Sequence, residues 1–272
     1  MLCRIVQLRN TSTHPTAIDL HALGVAAVDL ASVVLMQRFR SPDLQVSVKS
    51  SAADVVTDAD LASERIVREH ILSSRPDDGF IGEEGTSVPG TSGLSWILDP
   101  IDSTANYARG IPIWSISLAV SDESGVIAGV VACPPLDEVI SATSETGVLL
   151  NGSQMPPPPR RELDAAMVAI GWGPKSGGER QARVASTLIP AVGKVRSPGS
   201  PALGLAWTAL GRFDAAFYEM DFSQWDVAAG GFLCECAGLR VTRRDPERSG
   251  ESPRLLASPE HLEPSLREFV FG

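Results

Sequence analysis

Residues 96–120 read WILDPIDSTANYARGIPIWSISLAV. The apolar triplet Trp96-Ile97-Leu98 has strand character and delivers Asp99 at its end. Pro100 and Ile101 then hold the backbone extended or turned before Asp102, so that two carboxylates leave one short turn together. Beyond them, Ser103-Thr104-Ala105-Asn106 starts a short helix, and Ile116 to Ser121 resumes as a strand.

Bringing two acids together without a counter-charge costs several kcal/mol, so such a turn implies a cation or a shared proton. Oxygen-only ligands on a rigid turn suit a hard divalent ion such as Mg2+. The free N–H groups at the start of the following helix point to the same place and attract phosphate. Metal-binding acids followed at once by an anion-binding turn suggest phosphoryl chemistry. Taken alone, a D-P-x-D segment reads more simply as a turn and a helix cap. Two further acidic clusters tip the balance. Gly82-Glu83-Glu84-Gly85 follows the apolar Phe80-Ile81, and Asp226 opens a small-residue helix behind Phe222-Ser223-Gln224-Trp225. Each has an ordinary explanation alone, as a solvated loop or an N-cap. Three such clusters, each behind an apolar or aromatic segment, fit a composite metal site.

These motifs resemble the inositol monophosphatase family, the Mg2+-dependent, lithium-sensitive phosphatases of sugar and polyol phosphates. The family's first signature resembles Trp96 to Leu118 and its second Trp225 to Gly238, while its G-E-E element matches Gly82-Glu83-Glu84. Its N-terminal K-S-x-x-D-x-V-T-x-x-D loop resembles Lys49-Ser50-Ser51 through Asp54-Val55-Val56-Thr57-Asp58-Ala59-Asp60. The likeness runs in order over roughly residues 20 to 260.

The resemblance assigns Glu83, Asp99, Asp102 and Asp226 to metal coordination, with the Ile101 carbonyl as a further ligand. About two to three Mg2+ ions are implied, with Mn2+ as a substitute. Asp60 and Thr104 would orient the attacking water, and Glu84 would support Glu83. The Ser103 and Thr104 backbone N–H groups would hold phosphate, and Asp226 would stand by the ester oxygen. Gly199 and Ser200 would line the alcohol side, and Glu219 would face the substrate's hydroxyl groups. In-line hydrolysis of a phosphate monoester needs a positioned water, neutralised equatorial oxygens and a stabilised leaving alkoxide, and clustered divalent ions meet all three demands.

Two departures from the family pattern stand out. Ser103 replaces the usual glycine, turning D-G-T into D-S-T. If that position needs positive φ, serine costs on the order of 1 kcal/mol; if it is αR, serine is harmless. In Arg196-Ser197-Pro198-Gly199-Ser200-Pro201-Ala202, Pro201 replaces a small residue and removes an N–H donor. Nearby, Trp172 follows the strand Met167 to Ile170 and either stacks on a substrate ring or covers apolar surface.

Asn106 with an aromatic at Tyr107 looks like the inositol phosphatase branch, rather than the D-G-T-[KR]-E-F of 3'-phosphoadenosine 5'-phosphate phosphatases or the D-G-T-x-[AS]-F of histidinol-phosphate phosphatases. Fructose-1,6-bisphosphatases are longer and differ in the second signature. The expected function is therefore a phosphomonoesterase acting on an inositol phosphate or a related cyclitol, sugar or nucleoside monophosphate. The alternatives are a 3'-phosphoadenosine 5'-phosphate or histidinol-phosphate phosphatase, or a non-catalytic binding protein on the same scaffold.

Composition frames this reading. A chain of 272 residues, 43% hydrophobic, buries a sizeable core, and 23 basic against 33 acidic residues argue against a nucleic-acid polymer as partner. Cys3, Cys133, Cys234 and Cys236 make no zinc pattern, and the last two point to different faces of a helix. No secretory segment and no run of about 18 apolar residues is apparent, so no membrane association and a cytoplasmic location are expected. Asn151-Gly152 reads as a turn between strands. The resemblance adds a homodimer.

The expected architecture is α/β (α+β), an α-β-α-β-α layered sandwich like that of the family. The first ~18 residues are polar and are expected to fray. Helices are expected over 17–39 and 60–72, then strands over 80–81, 95–98, 116–121, 126–133, 138–143 and 147–150. Pro156 to Pro159 separates an N-terminal α+β lobe, 1–155, carrying most metal ligands, from a C-terminal α/β lobe, 156–272, carrying Asp226. The second part is expected to alternate strand 166–170, helix 178–190, strand 192–195, helix 202–211, strand 215–218, helix 226–237 and a closing strand near 254–257.

Overall fold

The computed structural model describes residues 15–51, 54–173, 178–246 and 252–272. Helix α1 (Ala17–Arg38) leads into the hairpin β1 (Val46–Ser51) and β2 (Asp54–Thr57), and α2 (Asp58–Ser74) follows. Next come β3 (Gly79–Gly82), β4 (Ser87–Val88), β5 (Ser95–Asp102), α3 (Thr104–Ala108), β6 (Ser115–Asp122), β7 (Gly125–Cys133), β8 (Glu138–Thr143), β9 (Gly147–Leu150) and β10 (Ser153–Gln154). The remainder is β11 (Met167–Trp172), α4 (Gly178–Ala191), β12 (Lys194–Arg196), α5 (Pro201–Ala209), β13 (Ala215–Glu219), α6 (Gln224–Cys236), β14 (Arg240–Arg244), β15 (Arg254–Ser258) and α7 (Glu263–Phe271).

Two sheets organise these elements. One has eight strands in the order β10-β9-β8-β7-β6-β5-β3-β4; the other has five in the order β12-β11-β13-β15-β14. The first is antiparallel except where β3 runs parallel to β5, a neighbour it reaches through a short connection. Side-chain alternation divides the core. Trp96, Leu98, Ile116, Leu118, Val120 and Val130 pack with Leu20, Val28, Leu35 and Val67 of α1 and α2. Ile97, Ala119 and Val131 face the other way, onto Leu205, Ala206, Ala229 and Leu233 of α5 and α6. The far face of the five-stranded sheet packs Val168 and Phe217 against Leu188 of α4 and Leu266 of α7. The order of layers is thus α1/α2, sheet, α5/α6, sheet, α4/α7, the five-layer sandwich expected.

Local chemistry sets the helix starts. Thr16 accepts from the Asp19 N–H at 3.1 Å, and the Asp19 carboxylate accepts from the Thr16 N–H at 3.0 Å, a reciprocal cap. Thr57 and Asp60 repeat it at the start of α2, with the Thr57 N–H donating to Asp60 at 2.7 Å. Pro201 is the first residue of α5, where its missing N–H has no helical partner to lose, which explains its tolerance behind the N-cap Ser200.

Several expectations are corrected. Helix α1 starts at Ala17, as its spacing predicts; the segment expected to fray falls mostly on residues 1–14, which, with Cys3 and His14, lie outside the described residues. The side chains of residues 49–54 in the N-terminal loop, and Pro174-Lys175 beyond Trp172, also lie outside them. By length and composition α1 is apolar enough to cross a membrane, contrary to the reading of no such run; its buried face, Leu20, Ala27, Val28, Ala31 and Leu35, belongs to the core. The β1/β2 hairpin, β4, β10, β14 and α7 were not anticipated, and the strand expected over 192–195 forms at Lys194–Arg196. Asn151 and Gly152 both take positive φ, 48° and 75°, in the expected turn between β9 and β10.

Candidate active site

Strand β5 pairs regularly with β6 as far as Asp99 opposite Ser117, then breaks register and resumes with Asp102 opposite Ser115. The break falls on Pro100, which has no N–H to give the ladder. In an unbroken strand residues three apart would point to opposite faces. Through this irregularity Asp99 and Asp102 instead turn to the same place, where Asp226 from the first turn of α6 meets them. An oxygen from each of the three carboxylates lies within 4.8 Å of the others. The Ile101 N–H donates to Asp99 at 3.0 Å, closing the turn.

Asp102 is held by three donors. It accepts from the Ser200 hydroxyl, from the Ala202 N–H at 2.8 Å and from the Ser115 hydroxyl at 3.3 Å. Its charge therefore sits on the N-terminus of α5, where the helix dipole favours it. Asp226 accepts from the Ser223 N–H at 2.5 Å, so it caps α6 and joins the cluster at once. Glu83 reaches the group through a hydrogen bond with Asp99.

Burial and mutual repulsion govern the titration of Asp99, Asp102 and Asp226. Burial, then the charges of Glu83, Asp102 and Asp226, holds the Asp99 carboxyl well above the usual carboxylate range. Burial pushes Asp102 up to about 7 against the lowering effect of its donors, and burial followed by the charge of Asp102 pushes Asp226 up to about 8. Three carboxylates converging on one point, Asp99 and Asp102 buried and Asp226 half-buried, are a donor set for a hard divalent cation, and the residues present fit Mg2+.

A second pair stands beside the cluster. The Thr104 hydroxyl donates to Asp60 at 3.0 Å and lies 3.2 Å from the Ile101 carbonyl. Burial raises Asp60 to about 6, partly offset by the donors Thr57 and Thr104. Ser103, N-cap of α3, has φ 79° and ψ 58°, so the strained alternative of the two considered for this position is the one realised. Gly199 also has positive φ, 89°, and a Cβ there would come within 3.0 Å of the Asn106 amide nitrogen. Asn106 bridges the two segments, donating to the Ile113 carbonyl at 2.6 Å and the Pro198 carbonyl at 3.1 Å. It thereby ties the 196–200 loop, with Ser200, to the Asp102 turn.

Glu219 ends β13 and forms a buried ion pair with Arg180 of α4 at 2.9 Å, outside the three-carboxylate cluster. Trp172 packs against the third core, in register beside Glu219. The Glu84 N–H donates to the buried Glu64 carboxylate of α2 at 2.8 Å. Glu64, Ser115 and Arg180 were not anticipated. Glu64 alone left a signal, its spacing of four from Asp60 on one helix face; Ser115 depends on the register break, and Arg180 lies in no motif.

The sequence profile of the inositol monophosphatase family matches residues 19–270. The inositol-1-monophosphatase of Rhizobium meliloti (strain 1021) is 38% identical over 235 residues, covering 84% of this chain and 86% of the relative. The Nus factor SuhB of Escherichia coli (strain K12) is 32% identical over 224 residues, covering 79% of this chain and 82% of the relative. Among solved structures, the native extragenic suppressor protein suhB of Bartonella henselae has a TM-score of 0.85 at 29% identity, covering 92% of this chain and 98% of its own.

Proposed function

This chain belongs to the inositol monophosphatase family and is a phosphoric monoester hydrolase, and from that premise we propose that it hydrolyses an inositol phosphate, or a related cyclitol, sugar or nucleoside monophosphate, with Mg2+. The observation that carries this reading is the convergence of Asp99, Asp102 and Asp226 beside the Thr104–Asp60 hydrogen bond.

Asp99, Asp102, Asp226 and Glu83, with the Ile101 carbonyl, would hold about two to three ions, Mn2+ being a substitute. When bound, Mg2+ supplies positive charge that offsets the phosphate and the leaving alkoxide and lowers the pKa of water. The Ser103 and Thr104 N–H groups bind the phosphate oxygens. The Thr104 hydroxyl orients the attacking water, and Asp60, which accepts a hydrogen bond from that hydroxyl, takes the proton as the water attacks. Water oxygen bonds to phosphorus as the ester bond breaks, and the departing alkoxide beside Asp226 leaves as the alcohol after taking a proton from solvent. Gly199 and Ser200 line the alcohol side, where Glu219, held by Arg180, selects for hydroxyl groups. Glu84 supports Glu83. Lithium sensitivity, a homodimer and a cytoplasmic location complete the proposal.

The test is release of inorganic phosphate from myo-inositol 1-phosphate, other sugar phosphates, nucleoside monophosphates, 3'-phosphoadenosine 5'-phosphate and histidinol phosphate, with Mg2+ and with or without lithium. Preference for the inositol phosphate is expected. Preference for the nucleotide or histidinol phosphate would replace the substrate assignment, and no release from any compound would overturn the proposed substrate range.

A further inference from the structure

Helix α2 faces the site with three residues spaced one turn apart, and each reaches a different part of it. Asp60 accepts from Thr104 at 3.0 Å, Glu64 accepts from the Glu84 N–H at 2.8 Å, and Arg68 donates to the Thr86 hydroxyl at 3.4 Å. Positions i, i+4 and i+8 share one face of a helix. The segment between Gly82 and Thr86 is therefore pinned by α2 at two places, and it closes on itself through the Gly82 N–H to the Thr86 carbonyl at 2.8 Å. Its third anchor is the Glu83 N–H, which donates to Leu98 of β5 at 3.2 Å.

The Glu64 carboxylate is 3% exposed, and it lies flat on the Cα of Gly82: a Cβ there would fall 2.2 Å from Oε2. A glycine at 82 is what admits the carboxylate close enough to take the Glu84 N–H. A buried acid is costly to desolvate, and here it receives its hydrogen bond from the backbone that follows Glu83.

We propose that Glu64 is a positioning residue for the metal site: by accepting the Glu84 N–H across the face of Gly82, it fixes the turn that aims Glu83 at Asp99. This rests on the proposed role of Glu83 as a metal ligand. What Glu64 contributes is a correctly placed acceptor oxygen rather than a charge. Glutamine preserves such an oxygen at the same reach, aspartate keeps the charge but falls one methylene short, and alanine removes both.

The experiment is Mn2+ binding to the metal-free full chain, followed by electron paramagnetic resonance, with the Mg2+ dependence of phosphate release measured alongside. Removing a partner that orients a metal ligand weakens binding by about 10-fold or more, so E64A and E64D are expected to lose that much affinity while E64Q stays within about 3-fold of wild type. Saturating Mg2+ should restore most of the E64D turnover. Circular dichroism controls for folding, and where E64A does not fold the E64D and E64Q pair decides. Folded E64A or E64D with wild-type Mn2+ affinity would overturn the inference and leave Glu64 a packing residue. E64Q as weak as E64D would show that charge, not the acceptor, matters, which also overturns it. Wild-type protein that takes up no Mn2+ would overturn the metal reading of the site itself, and the inference with it.

Discussion

Replacing Ser103 by glycine should stabilise the protein. Ser103 has φ 79° and ψ 58° and makes no side-chain cap hydrogen bond to α3, so its Cβ is strained without compensation there. A left-handed conformation costs an L-residue about 1–2 kcal/mol. Glycine removes that strain but returns about 0.5–1 kcal/mol to the unfolded chain as conformational freedom. The net gain for Ser103→Gly is about 0.5–1 kcal/mol, a rise in Tm of about 1–3 °C for a chain of this size. Ser103→Ala, which keeps the strain and loses only the hydroxyl, should stay within about 0.5 kcal/mol of wild type. Ser103→Val, branched at Cβ, should lose about 1–2 kcal/mol. Calorimetric unfolding of the metal-free protein reads all three, and kcat/KM for Ser103→Gly should stay within about 3-fold of wild type because the backbone already has the glycine-like geometry. A lower Tm for Ser103→Gly, or equal Tm values for the Ala and Val variants, would refute the strain argument; a large rise in activity would show that serine handicaps phosphate binding.

The metal-free protein should lose stability as pH rises. Asp60, Asp102 and Asp226 titrate at about 6, 7 and 8 when folded against 3.8 ordinarily, so between about 4 and 8 the folded state holds more protons than the unfolded one. In chelator, Tm should be lower at pH 8 than at pH 5, and Mg2+ at about 100 times its Kd should return about 2.7 kcal/mol; a Tm that holds or rises from pH 5 to pH 8 in chelator would contradict this. Asn106→Ala removes both amide hydrogen bonds to Ile113 and Pro198, and a destabilisation of about 1–3 kcal/mol in urea is expected together with a raised KM. An unchanged KM would separate the 196–200 loop from substrate binding.

The fold was legible wherever period and punctuation agreed. Strands β5 to β9 are short, largely apolar runs set between turn signals, and α5 and α6 are small-residue helices whose starts carry Ser200 and Asp226. The elements that escaped notice lack that contrast. Strand β14 reads Arg240-Val241-Thr242-Arg243-Arg244 and lies at a sheet edge, where polar residues are tolerated. Helix α7 is short and has Pro264 in its first turn. At the site, Asp99 and Asp102 were conspicuous because Pro100 separates them. The conformation of Ser103 was not, since αL and αR serine look alike in sequence. Ser115, Glu64 and Arg180 gain their meaning from contacts across strands and layers: a register break sets the first, the close approach to Gly82 the second, and the burial of Glu219 the third.

The central claim is that Asp99, Asp102 and Asp226 form a metal centre that hydrolyses a phosphate monoester. Its most direct test is Mg2+-dependent phosphate release from myo-inositol 1-phosphate by wild type and Asp99→Asn, with Tm measured for both in chelator. Asparagine keeps the volume and an oxygen for the Ile101 N–H but removes a buried acid whose ionisation the metal-free fold opposes. The account predicts lost turnover together with a metal-free protein at least as stable as wild type, higher by about 1–2 kcal/mol at pH 8. An Asp99→Asn enzyme that still turns over with the Mg2+ dependence of wild type would contradict it.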